Sequence, residues 1–207
     1  MTFAWTLDER KFLALEQVRK LRSFCGQEKR KTMKRGQFLS VRNWFMIELG
    51  LNTGLRVQEM TDLKCGDFFI SALEASVIVR KGKGKKRRPV WISESFKKAC
   101  QFFMRWKHWH GHSTEDEAPL FTSEDGMPLS KRALQKAFKK ILTAAGLPGY
   151  YSIHCLRHTY ATHLLKASGF NLRLVQEQLG HSSVRITEVY TKLIGSDVKQ
   201  AVNRLYR

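Results

Sequence analysis

Cysteine is sparse in this chain and follows no ligand or bridging pattern. Cys25, Cys65, Cys100 and Cys155 are its four members, and no two of them form a C-x-x-C pair. That excludes a disulfide framework or a zinc site as the device holding the fold, and leaves free thiols in a reducing compartment as the simplest reading. Long apolar runs are missing as well. The opening residues, Met-Thr-Phe-Ala-Trp-Thr-Leu-Asp-Glu-Arg, lack the apolar core of a signal peptide, and no stretch approaches the ~20 residues of a membrane span. A cytoplasmic protein with no membrane partner is the expectation. Internal repeats and low-complexity tracts are absent from the sequence. Acidic residues are few: 18 Asp and Glu stand against 37 Lys and Arg, for a formal charge of +19. Such an excess favours a polyanionic partner, nucleic acid first, over the blander reading of a generally basic soluble protein.

What is present suits one good-sized core in 207 residues, and a single domain over 1–207 is expected. Thr6 with Glu9 reads as a capping box for a first helix that carries Phe12, Leu15, Val18, Leu21 and Cys25 and stops at Gly26. Residues 27–36 then read as a basic loop. A second helix spans about 37–51, and Asn52-Thr-Gly54 ends it. A short helix starts at Leu55. Val77-Ile-Val79 and Pro89-Val-Trp-Ile92 read as two strands. Between them lies a Gly-punctuated tip holding Arg80, Lys81, Lys83, Lys85, Lys86, Arg87 and Arg88. Ser93 and Ser130 are caps for helices to about 109 and 145, with a polar loop over 110–119 and a turn at Asp125-Gly126. Helices at about 153–167, 172–179, 184–191 and 197–205 complete the chain, with Asn171, Ser183 and Ser196 as caps. The fold class is mainly α with a small antiparallel β-sheet (α+β).

Five short motifs carry chemistry. Thr53-Gly-Leu-Arg56 is followed three residues later by Glu59. Gly82-Lys83-Gly84 sits on the hairpin tip. His154-x-x-Arg157-His158 places a ring and a guanidinium on one helix face. Leu179-Gly180-His181 comes next, and Tyr190 stands nine residues after His181. Each is weak alone. In this order, over about residues 6–191, they resemble the tyrosine recombinase (phage integrase) family, with motifs like those of its Xer members.

The resemblance implies a DNA breaking-rejoining catalytic domain and a site-specific recombinase that acts on double-stranded DNA without metal, ATP or other cofactor. Arg56 and Arg157 would hold the non-bridging phosphate oxygens, for which planar forks suit better than ammonium groups. Tyr190 would attack phosphorus to give a 3′-phosphotyrosyl link. His154 would take its proton, Lys83 would protonate the leaving 5′ oxygen, and His181 would donate to a phosphate oxygen. Self-association as a dimer or tetramer on DNA, and a bacterial, phage or plasmid-borne context, are implied too. Most members carry a separate helical core-binding domain before the catalytic one. The catalytic pattern begins here within the first ten residues, so that extra domain is expected to be absent and an accessory DNA-binding protein to complete the clamp.

The same residues have plainer readings. Arg56 can be a structural arginine paired with Glu59, His154 a helix-start ring bonding backbone, and Tyr190 a half-buried core aromatic. Lys85 and Lys86 share the tip with Lys83. With Arg80, Lys81, Arg87 and Arg88 they are expected to hold backbone phosphates. His108, His110 and His112 alternate, but alternate histidines are not a ligand set, and no metal is expected. A non-catalytic DNA-binding or regulatory protein on the same scaffold, or a type IB topoisomerase-like enzyme, are the alternatives.

Overall fold

Phe38–Thr53 folds as α2, and the domain is built around it. Apolar residues lie on every side of this helix, so it is buried on most sides by α1 (Leu15–Met33), α4 (Glu94–Trp109), α5 (Lys131–Ala144) and α6 (His154–Ala167). A computed structural model describes residues 9–71, 74–80 and 87–180 of the chain. Phe45 has no exposed surface and stacks on Phe103 at 4.2 Å and on Phe96 at 5.9 Å. Burying each such ring contributes roughly 2–3 kcal/mol. The short α3 (Val57–Asp62) leaves α2 through Gly54, and α7 (Leu172–Leu179) packs beside α6.

The sheet is antiparallel in the order β1 (Phe68–Ile70), β2 (Ala75–Val79), β3 (Arg88–Trp91). Its register pairs Phe68 with Val77 and Val79 with Arg88. The outer strand β1 went unread in the sequence, because three residues are too few to show alternation.

The first helix differs more. It begins at Leu15, after a 3₁₀ turn at Glu9–Lys11, because the two residues before it are tied down. The Leu13 N–H donates to Thr159 Oγ1 at 2.8 Å, and the Ala14 N–H to Gln17 Oε1 at 2.9 Å. Gly26 does not end it. A glycine inside a helix costs about 1 kcal/mol, and contacts made by the next two turns outweigh that cost. Thr32 is buried there, and Lys29 Nζ lies 3.7 Å from the Trp44 ring centre. The basic segment expected to be a loop is therefore mostly the last two turns of α1.

The other caps fall where the sequence placed them. The Ser93, Ser130 and Asn171 side-chain oxygens accept from the Phe96, Ala133 and Leu174 N–H groups. Thr6, Ser183, Ser196 and the helices expected at 184–191 and 197–205 lie outside the described residues. No described helix is long and apolar enough to cross a membrane.

Candidate active site

Gly54 is the C-cap of α2 and takes φ +60°, a backbone conformation that side chains disfavour. A Cβ there would also lie 2.5 Å from Tyr160 and 2.8 Å from Leu179. The bare turn lets α6 and α7 close on it, and it presents its carbonyl to Arg157. Arg157 Nη1 donates to Gly54 O at 2.6 Å and Nη2 donates to Leu179 O at 2.9 Å. Arg157 is 6% exposed as a residue, so it is buried, not the surface cation that an isolated arginine would suggest. It joins the first-arginine motif to the Leu179-Gly180 turn.

Arg56 is the N-cap of α3. Its backbone N–H donates to Glu59 Oε2 at 2.8 Å and its Nη1 to Oε1 at 3.1 Å. The structural pairing with Glu59 is real, and it does not consume the side chain. Arg56 stays 32% exposed, and Glu59 takes one of its five N–H donors. The carboxylate has a second guest: Arg88 Nη1 donates to Oε1 at 3.0 Å and Nη2 to Oε2 at 3.2 Å. Burial pushes the Glu59 carboxyl up. The Arg88 bonds and charge, the Arg56 N–H and the Arg157 charge more than offset this and hold it below the ordinary carboxylate value.

Replacing Glu59 by Gln is expected to cost about 2–3 kcal/mol, because buried donors lose a charged acceptor. Urea unfolding at unchanged slope reads this. The native carboxyl is lowered from 4.5. Its contribution is therefore complete above that pH and fades as pH falls through the lowered value, so the gap between wild type and variant should close in acid.

His154 is the first residue of α6, exposed, and one turn before Arg157. Partial desolvation and the Arg157, Lys131 and Arg56 charges push its imidazole below the usual value, so the ring is neutral near pH 7 and able to accept a proton. His158 is pushed down further, to about 4, by burial first and then by the charges of Arg157, His154 and Lys11. The His154 ring thus senses the charges of both Arg56 and Arg157 across a single corner.

Two expected phosphate holders are engaged by carboxylates. Arg80 donates to Asp67 Oδ1 at 2.5 Å and to Glu117 Oε1 at 2.6 Å, and Arg88 is held by Glu59. Arg87 is exposed. Lys81, Lys83, Lys85, Lys86, His181 and Tyr190 lie outside the described residues. Two of the alternate histidines contact protein. His110 Nδ1 and Nε2 lie 2.9 Å and 3.0 Å from Trp106 O and Gly36 O, and His112 stacks on Phe38 at 4.2 Å. Among the described residues no group of three metal-ligating side chains converges. Sequence reasoning read Glu59 as structural without its second arginine, and left Lys131 out of the corner altogether. Neither has a local signal, since their partners come from distant segments.

The model of the phage integrase family matches residues 11–195. Tyrosine recombinase XerC of Proteus mirabilis is 39% identical over 156 residues, which are 75% of this chain and 48% of that protein. XerC of Neisseria gonorrhoeae is 38% identical over 158 residues, 76% of this chain and 49% of its own length. The chain spans about half the length of these curated relatives. Among solved structures, the XerH site-specific recombinase bound to palindromic difH substrate superposes with a TM-score of 0.75 at 24% identity, covering 97% of this chain and 54% of that one. The XerA recombinase does so at 0.74 and 22% identity, covering 100% and 66%. At these identities the two structures speak for the fold.

Proposed function

Since the chain belongs to the phage integrase family, we propose that it carries the catalytic chemistry of a site-specific DNA recombinase. The observation that supports this most directly is the corner where Arg56, Arg157 and a neutral His154 converge. Two guanidinium groups are suited to the non-bridging oxygens of one phosphate, whose charge grows as a fifth bond forms to phosphorus. The Tyr190 oxygen attacks phosphorus, and its proton passes to His154. The bond from phosphorus to the 5′ oxygen breaks, and Lys83 gives that oxygen a proton. His181 donates to a phosphate oxygen. The phosphotyrosyl link keeps the bond energy, so the reverse attack by a 5′-hydroxyl rejoins DNA without ATP.

The substrate is double-stranded DNA, in keeping with the +19 charge and with structural neighbours solved in complex with DNA. Lys81, Lys85, Lys86 and Arg87 are the tip residues proposed to hold backbone phosphates. Arg80 and Arg88 are left out of that set, because Asp67 and Glu117 hold the first fork and Glu59 the second. Strand exchange requires copies of the chain to associate on DNA.

The test is a nicked duplex that lets the released 5′ fragment diffuse away and traps the covalent complex. A denaturation-resistant protein–DNA band, formed equally in EDTA, is the expected result. Binding without that band overturns the enzymatic reading in favour of a non-catalytic DNA-binding protein. Relaxation of supercoiled plasmid without site preference would favour topoisomerase-like action.

A further inference from the structure

Arg88 takes no part in the proposed reaction, yet its side chain touches segments that carry two of the reacting groups, and its own strand leads to a third. It is the first residue of β3, and its pairing with Val79 is the last rung before the 80–87 tip. Lys83 stands five residues earlier on the same connection. The two terminal nitrogens of Arg88 grip both oxygens of Glu59, which itself holds the backbone and side chain of Arg56. The Arg88 side chain is 14% exposed. Its Nε is buried and has no hydrogen-bond partner among the described residues. It lies against Gly180, the residue before His181, where an added Cβ would collide with Nε.

A two-point guanidinium–carboxylate grip fixes orientation as well as distance, which an ammonium cannot do. Lys83 is joined to the fold through this strand, so whatever fixes the strand end at Arg88 bears on where the lysine can reach. We propose that Arg88 is a positioning residue that pins the return strand of the hairpin to Glu59 and so sets where Lys83 stands relative to Arg56. This rests on the reading of Lys83 as the proton donor to the leaving oxygen.

The experiment uses two nicked duplexes, one with the ordinary scissile link and one with sulfur in place of its bridging 5′ oxygen. A thiolate departs without being protonated, so the sulfur duplex does not need Lys83. Arg88→Gln and Arg88→Lys are compared with wild type and with Lys83→Ala. Arg88→Lys keeps a cation beside Glu59 and carries the test if Arg88→Gln does not fold. Both variants are expected to bind either duplex within about threefold of wild type. They should cleave the ordinary link ~30–100-fold more slowly, part of the 10²–10⁴ that a positioned acid supplies, and the sulfur link within about threefold. Equal loss on both duplexes, or no loss on the ordinary one, overturns the proposal. If wild type forms the adduct but sulfur does not rescue Lys83→Ala, the proton-donor reading fails and takes this proposal with it. If wild type forms no adduct on either duplex, the recombinase reading itself has failed.

Discussion

Arg157→Ala is expected to lower the rate of adduct formation by at least ~10³, and to destabilise the fold by about 2–4 kcal/mol. The two losses have separate causes. For the rate, removing one preorganised donor to a developing oxyanion typically costs ~10²–10³, and a guanidinium brings charge as well. For the fold, the residue is buried and its side chain bridges the carbonyls of Gly54 and Leu179. Its removal leaves two inward-facing acceptors without their donors, at about 1–3 kcal/mol each before relaxation. A fall in melting temperature of roughly 4–16 °C would result for a domain of this size. Arg157→Lys should recover little, because one ammonium cannot reproduce the fork. A variant that melts with wild type would show that the bridge does not support the turn.

Tyr190→Phe should show the opposite division. It removes one oxygen and no carbon. The nucleophile is gone, and no phosphotyrosyl adduct should form at any time of incubation. Binding to the nicked duplex should stay within about threefold, since the phosphate contacts come from other residues. If Tyr190 were instead a core aromatic with a bonded hydroxyl, the variant would lose about 1–2 kcal/mol of stability and keep whatever activity the protein has. Adduct yield and melting temperature together separate the two roles.

Local sequence announced much of this architecture, and the reason differs from element to element. Helices α4, α5 and α7 each open on a side chain that caps its own backbone three residues on, a contact written within four letters. The close of α2 at Gly54 was equally plain, since one residue type tolerates that turn. The start and end of α1 were not. Its beginning is set by a bond from Leu13 to Thr159, 146 residues away, and its passage through Gly26 is supported by Lys29 on the Trp44 ring. At the site, Arg56, His154 and Arg157 could be picked out because their spacing makes a recognisable pattern. That Arg157 would be buried under two carbonyls could not, since Gly54 is 103 residues away. Arg88 was counted among phosphate holders because a run of basic letters looks uniform. Only its pairing with Glu59, 29 residues away, sets it apart.

The four thiols have a practical side. Cys25, Cys65, Cys100 and Cys155 are all buried and unbridged. Burial pushes every one of them up, to about 12 for Cys25 and Cys155. Almost no thiolate is then on offer near neutrality, so the native protein is a dark background for maleimide dyes. A single cysteine engineered at an exposed position such as Ser152, two residues before His154, gives a fluorophore one address from which to report DNA arriving at the corner.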